Sequence, residues 1–339
     1  MAQVKVVRTD AEIECPHLDA GLRERGLALV LVSDGIPEAA LVREVQEAEI
    51  LLMCYTPVTA RVIEATQRLR GIVKYGVGID AIDIAAAKAR RIPVVNVPEY
   101  AERTVAEGAF ALLLALAKRL APMHVAMRES GWVWPSAPWL GSDIAGKTIG
   151  LVGVGRIGRS MAQMAGAGFQ ARVLGYDPHV SSEQMRAAGV DKRADLHAML
   201  AECDFVSIHC VLDESTRGLI GARELAHMKP GAILINVSRG AIVDETALVR
   251  ALIEGRLGGA GLDVYTNEPL NRTDHPLRAL FEMDNVILTP HLTFFTREAM
   301  QRLEAEVLLR CDELLRGEPV LVKSRDPRLT SQVHGVRFA

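Results

Sequence analysis

Cysteine and aromatic residues are both sparse, and no charge of one sign dominates. The five cysteines (Cys15, Cys54, Cys203, Cys210, Cys311) are odd in number and never spaced C-x-x-C, which argues against a disulfide framework and against a zinc site. They read as reduced thiols acting as small buried hydrophobes, and no metal is expected. Lys and Arg number 39 against 42 Asp and Glu, for a formal net charge of −3. Such a balance makes no field that would gather phosphate backbones or anionic lipid, so no nucleic acid and no membrane surface is expected as a partner. The longest apolar run, Ala109 to Ala117, falls far short of the ~18 residues that cross a bilayer and is closed by Lys118-Arg119, so a buried helix is expected there. Met1 to Val7 shows no basic segment leading into a long apolar one, so no cleaved leader is expected and the protein is read as cytoplasmic.

What is present is an ordinary globular composition, 49% apolar, in 339 residues. That length exceeds the roughly 100–200 residues of one domain, so two are expected. From Val4 to Pro98, short β-branched runs (Val4–Val7, Ala28–Val32, Ile50–Cys54, Ile72–Tyr75, Val94–Val97) alternate with amphipathic stretches (Glu38–Ala48, Ala60–Leu69, Ile82–Arg90). Strand and helix in alternation predict a parallel sheet covered on both faces. The rhythm then breaks. Thr104-Val-Ala-Glu107 has the T-x-x-E form of a capping box and opens a long helical stretch to about Ser130, with a kink or break expected at Pro122. Gly131 to Gly141 is a loop by its Pro and Gly, yet it carries all three tryptophans, Trp132, Trp134 and Trp139. Tryptophans on a loop need cover, either from their own domain or from a second subunit.

A second strand and helix series follows: strands at Thr148–Gly153, Arg172–Asp177, Phe205–Cys210, Ile233–Val237, Gly261–Tyr265 and Val286–Thr289, with helices such as Arg156–Ala167, Ala194–Glu202 and Thr246–Glu254. The expected fold class is therefore α/β, with two doubly wound parallel-sheet lobes. A last helix, about Thr296 to Leu315, should return the chain to the first lobe and end in a polar tail.

The first strand of the second series runs into Gly153-Val-Gly155-Arg156-Ile157-Gly158, a helix follows, and Asp177 ends the next strand. In that setting each glycine serves a distinct purpose. Gly153 makes the tight turn, Gly155 lets backbone approach a pyrophosphate, and Gly158 lets helix pack on strand. The amides of Arg156 and Ile157 at the helix N-terminus should meet the phosphates. A carboxylate at Asp177 binds both ribose hydroxyls and would repel a 2′-phosphate, which predicts NAD as cofactor in preference to NADP. Three polar segments fall at the carboxyl ends of later strands, where an open α/β sheet binds ligands: Asn236 to Gly240, Asp263 to Pro269, and Thr289-Pro-His291. Hydride chemistry on a 2-hydroxy acid needs a cation for the carboxylate, an acid/base for the C2 oxygen and a group that orients the acid/base; Arg239, His291 and Glu268 meet those needs.

These segments, together with Gly76-Val-Gly78-Ile-Asp, Val94-Val-Asn-Val-Pro98, Met228-Lys-Pro-Gly-Ala232 and Gly261-Leu-Asp263-Val, give the chain a close resemblance to the D-isomer-specific 2-hydroxyacid dehydrogenases. That family takes in phosphoglycerate and glycerate dehydrogenases and the C-terminal-binding-protein corepressors. The resemblance covers nearly the whole chain. It implies Arg239, Glu268 and His291 as the catalytic set, with His291 the proton donor. It also implies that Cys210, Val237 and Asp263 lie along the nicotinamide side of the cofactor, and that Val77 and Gly78 give backbone N–H groups to the substrate carboxylate. A Rossmann NAD-binding domain over 100–293 would be inserted in a flavodoxin-like substrate domain formed by 1–99 and 294–339, with a cleft between them and a homodimer built on the cofactor lobe. The implied substrate is a small 2-hydroxy or 2-keto acid. Departures from the family's pattern are Val211 after His-Cys, Lys74-Tyr75 before the substrate loop, and Thr293-Phe-Phe295 after His291. Lys74 and Tyr75, read as lining the substrate pocket, leave the acid itself open. An NAD-sensing corepressor-like protein on the same fold is the alternative; it would need Asp177 and the glycines but neither Glu268 nor His291. Oxidation of formate or phosphite is a third reading, and the His–Glu pair favours a hydroxy acid over formate.

Overall fold

The computed structural model describes residues 3–339, and the chain divides into two compact units, Met1–Ala101 with Thr296–Ala339, and Glu102–Phe295. In the first unit, β1 (Lys5–Arg8), β2 (Ala28–Leu31), β3 (Ile50–Met53), β4 (Gly71–Lys74) and β5 (Val94–Asn96) form a parallel sheet in the order β2-β1-β3-β4-β5. β3, β4 and β5 are buried along their whole length. Burial on both faces is why they read as unbroken apolar runs and not as alternating ones.

The helix Pro16–Glu24 has no counterpart in the sequence reading. Its N-cap, Cys15, has no capping side-chain bond; the Leu18 amide is met instead by Glu304 Oε2 at 2.7 Å, from a carboxylate only 2% exposed on the C-terminal helix. No local pattern could reveal a cap supplied from so far along the chain. The C-terminal helix, Arg297–Arg316, is capped by Thr296 and closed by Gly317 at φ 69°, and it buries Leu303, Val307, Cys311 and Leu314 on one face. The tail beyond it is more than polar chain. Val320–Val322 and Val336–Phe338 pair in parallel, and Glu313, itself 4% exposed, receives the Leu321 amide at 3.1 Å and Arg337 at 2.6 Å.

In the second unit, seven parallel strands stand in the order β12-β11-β10-β9-β6-β7-β8. They are β6 (Thr148–Val152), β7 (Arg172–Tyr176), β8 (Asp191–Lys192), β9 (Phe205–Ile208), β10 (Ile233–Asn236), β11 (Gly259–Leu262) and β12 (Val286–Leu288). One face is covered by the helices Glu102–Ala117 and Arg156–Gln163, whose core includes Leu113, Met161 and Ile235; the other is covered by Leu196–Glu202, Ala222–His227 and Glu245–Ile253, around Leu200, Leu225 and Leu248. Chain order reverses between β6 and β9, and an open sheet of this kind offers its crevice at that point.

Three expectations are corrected here. The long helix begins at Glu102, so Thr104 lies inside it, buried, and does not cap it. The break falls at Lys118-Arg119, where Arg119 takes φ 54°, and the two helices meet at a 57° bend. Pro122 sits in the first turn of the following helix, Leu120–Ser130, where its missing N–H costs nothing. After Gln163 the α-helix gives way to a π turn, Met164–Gly168.

A Glu304→Ala variant is expected to lose about 1–3 kcal/mol from urea unfolding of the first unit, the cost of leaving a buried helix N–H unmet. Glu304→Gln keeps an acceptor and should lose clearly less; equal losses would show that the Leu18 bond is not what Glu304 contributes.

Candidate active site

β6 ends in Gly153, whose φ of 93° suits glycine; a Cβ there would lie 2.5 Å from the Cys210 amide nitrogen at the end of β9. The two strands flanking the switch point therefore converge on this turn. Gly155 differs: a Cβ placed on it meets nothing within 4 Å, and its φ of −74° is open to any residue. It faces open space at the N-terminus of Arg156–Gln163, a helix that no side chain caps and whose dipole presents its positive end there. The Arg156 side chain is engaged elsewhere, in an ion pair with Glu102 at 3.0 Å. Asp177, just beyond β7 and half-buried, accepts the Val154 amide at 3.0 Å on one oxygen and the His179 amide at 2.9 Å on the other. Each oxygen keeps a further lone pair for a hydroxyl. An open cradle over glycine, a helix N-terminus without a side-chain cap and a fixed carboxylate fit a dinucleotide.

His209, which sequence reasoning passed over, lies beneath this loop, with its Cβ 3.8 Å from a Cβ built on Gly158. Burial pushes its imidazole down to about 4, so the ring is neutral; Nε2 shares a hydrogen with Ser207 Oγ at 2.9 Å, and the buried Nδ1 has no partner among the described residues. Burial likewise pushes the Cys210 thiol up to about 12, which leaves it protonated and no nucleophile.

The segments after β10, β11 and β12 carry Arg239, Glu268 and His291, the residues expected to be catalytic. His291 Nδ1 and Glu268 Oε2 are 2.8 Å apart, with 22% and 31% of the two side chains exposed. The other Glu268 oxygen accepts the Tyr265 amide at 2.8 Å. Burial alone would raise the Glu268 carboxyl, but the hydrogen bond and charge of His291, the Tyr265 amide and the charge of Arg239 together hold it below its ordinary value. It is thus a carboxylate throughout the neutral range, fixed against Nδ1 of the ring. Arg239 follows a loop pinned by Asn236, 1% exposed, which donates to the Arg239 carbonyl at 2.9 Å and accepts the Ser238 amide at 3.0 Å. Val237 is buried in the same loop.

Asp263 is fully buried, and both its oxygens are taken by the His291 segment: Thr289 Oγ1 at 2.6 Å, the Leu292 amide at 3.0 Å, the Thr293 amide at 3.1 Å and Thr293 Oγ1 at 2.6 Å. Its visible work is to hold His291, which sits at φ 59°. Tyr265 adds a second tie, its hydroxyl donating to the Leu262 and Thr289 carbonyls.

In the first unit, the turn after β4 leaves the Val77 and Gly78 amides without a hydrogen-bond partner among the described residues, and Asn96 Nδ2 donates to the Val77 carbonyl at 2.6 Å. Two free amides in succession suit an anion. Lys74 and Tyr75, expected to line the substrate pocket, are instead buried within the first unit. Tyr75 is 1% exposed and donates its hydroxyl to the Thr9 carbonyl, and Lys74, 5% exposed, donates to the Cys54 carbonyl and lies 5.4 Å from the Tyr55 ring centre.

Residues 110–293 match the family model for the D-isomer specific 2-hydroxyacid dehydrogenase, NAD binding domain. The chain is 40% identical over 286 residues to a D-3-phosphoglycerate dehydrogenase of Mycobacterium tuberculosis, covering 84% of this chain and 52% of that protein. It is 38% identical over 310 residues to a glyoxylate reductase of Korarchaeum cryptofilum, covering 90% and 92%. A solved D-lactate dehydrogenase from Aquifex aeolicus, complexed with NAD and lactic acid, superposes with a TM-score of 0.82 at 30% identity over 92% of this chain and 96% of that one. The chain spans about half the length of the curated phosphoglycerate dehydrogenases it matches.

Gly155→Val should fill the cradle without disturbing the fold. NADH fluorescence titration is expected to show binding weakened at least tenfold, about 1.4 kcal/mol, with the melting temperature unchanged; undiminished affinity would place the pyrophosphate elsewhere.

Proposed function

The chain belongs to the D-isomer-specific 2-hydroxyacid dehydrogenase family, and we propose that it is an NAD-dependent oxidoreductase acting at C2 of a small D-2-hydroxy acid or the corresponding 2-keto acid, such as glycerate or phosphoglycerate. The observation that carries this reading is the 2.8 Å contact between His291 and Glu268. A protein that only sensed the cofactor would have no use for an acid/base held in this way.

In the proposed mechanism the amides of Arg156 and Ile157 hold the cofactor's pyrophosphate and Asp177 holds its adenosine ribose, selecting NAD over NADP by charge. When bound, NAD(H) supplies or accepts the hydride at C2. Val77 and Gly78 receive the substrate carboxylate through their free amides. The Arg239 guanidinium, a planar fork of donors, binds the carboxylate and the C2 oxygen and draws electron density from the carbonyl. His291 gives its Nε2 proton to the C2 oxygen in reduction and takes the hydroxyl proton in oxidation. Glu268 stabilises the imidazolium and fixes the ring. Its depressed carboxyl stabilises the native chain fully above the ordinary glutamate range, and that contribution is lost as pH falls through the native value. Cys210 and Val237 furnish apolar surface beside the nicotinamide, while Asp263 acts from behind, on the His291 segment.

The direct test is loss of NADH absorbance with glyoxylate, hydroxypyruvate, pyruvate, phenylpyruvate, 3-phosphohydroxypyruvate and 2-ketoglutarate. Turnover of one of these acids, abolished in His291→Ala with NADH binding retained, is the expected result. Binding without any turnover would favour a cofactor sensor.

The proposal extends to a homodimer formed through the second unit. The helix Leu120–Ser130 buries none of its residues, and Leu120, Val125, Trp132, Trp134 and Leu140 are 49–81% exposed. So large a run of apolar surface is costly in water and fits a second copy. Sedimentation of a Trp132→Ala/Trp134→Ala chain should show a monomer or a dimer weakened at least tenfold; an unchanged dimer would move the interface elsewhere.

A further inference from the structure

We propose that Asp10, distant in sequence from every motif above, is the positioning residue that sets the Gly76–Gly78 turn for the substrate carboxylate. The inference rests on the reading of the Val77 and Gly78 amides as the carboxylate site.

Asp10 follows β1, is fully buried and takes φ 55°, a backbone conformation that Asp and Asn tolerate better than other residues with a side chain. Among the described residues no Lys or Arg side chain pairs with its carboxylate; it accepts from five donors, and the Asp34 carboxyl, raised by burial and by the charge of Asp10, lies against it as well. Oδ2 accepts from Thr9 Oγ1, from the Cys54 amide at 2.8 Å and from the Tyr55 amide at 3.1 Å. Oδ1 accepts from the Thr56 amide at 3.0 Å and Thr56 Oγ1 at 2.7 Å. A buried carboxylate is tolerated only when so satisfied, and three successive amides are thereby fixed as one loop after β3.

That loop and the backbone of residues 9–10 reach the turn by two routes. Along one, the Cys54 carbonyl accepts from Lys74 Nζ, the Cys54 Sγ lies 3.3 Å from it, and the Tyr55 ring stands beside it. A Cβ built on Gly76 would be 3.1 Å from Lys74 Nζ, so the ammonium lies directly under the turn. Along the other, Tyr75, the residue before Gly76, donates its hydroxyl to the carbonyls of Thr9 and Asp10. With Asn96 holding the Val77 carbonyl, the turn is fixed on three sides while its two amides stay free. Lys74 thus places positive charge beneath an anion site without exposing a side chain to it, and Asp10 holds in place the loop that Lys74 contacts.

The test is amide hydrogen exchange on the full chain, Asp10→Asn against the parent. Asn suits the same positive φ, so the change removes acceptors without adding backbone strain, and it turns one oxygen that meets two or three donors into a donor itself. Exchange is expected to quicken several-fold at residues 54–56 and also at 76–78, with residues 289–293 unchanged. Faster exchange at 54–56 with 76–78 unaltered would overturn the proposal, and this readout does not depend on any turnover. Thr56→Val, which leaves the carboxylate in place and deletes one of its five bonds, should give a smaller change of the same pattern if Asp10→Asn folds poorly. With the keto acid that the parent reduces, Asp10→Asn should raise KM about tenfold while kcat and the NADH Kd change less than twofold. A fall in kcat at constant KM would contradict positioning of the carboxylate, whereas a parent chain that reduces no keto acid would count against the proposed function alone.

Discussion

A carboxylate buried without a cation is among the least stable things a protein can contain, and the active loop of the second unit is organised around one. Asp263 ends β11 with no solvent exposure, and the four donors that offset its desolvation all come from Thr289, Leu292 and Thr293. Because those residues bracket His291, satisfying Asp263 and placing the imidazole are one event. The positive φ of His291 is tolerated because the residues on both sides are fixed. With the ring so placed, the Glu268 bond follows, and with it the ionised carboxylate that a proton station needs.

The first unit uses the same device. Asp10, likewise at a strand end and fully buried, collects the amides of the neighbouring strand's loop. In both units a charge placed among backbone donors converts a loop into a rigid support, and the groups read as chemically active stand on what it supports. This is preorganisation achieved at the level of the backbone, where a side chain's own rotamer freedom does not enter.

The sequence carried the strands, the glycine loop and the His–Glu–Arg segments because each depends on residues close together in the chain. β3 to β5 are buried on both faces and so spell continuous apolar runs, and Gly153 to Asp177 encodes a turn, a helix start and a strand end within one unit. What it hid depends on distant partners. The helix at Pro16 is capped by Glu304, Tyr75 is drawn into the core by the carbonyls of Thr9 and Asp10, and Asp263 binds residues beyond the next strand. Thr104 had the form of a cap, but the helix starts two residues earlier and buries it. Pro122 had the form of a break, yet a proline in a first turn is no obstacle, and the chain turns at Arg119. His209 gave no signal, since nothing local marks a histidine whose ring is buried under a glycine loop.

The claim on which the account turns is that Glu268 stabilises the protonated ring of His291. The measurement that tests it most directly is kcat/KM for keto acid reduction, with the NADH Kd beside it, in the parent and in Glu268→Gln. Removing the carboxylate should cut kcat/KM at least tenfold, about 1.4 kcal/mol of lost transition-state stabilisation, while the NADH Kd stays within twofold. An undiminished kcat/KM would show that Glu268 neither shares the charge of the ring nor orients it, and the proton station as described would be wrong.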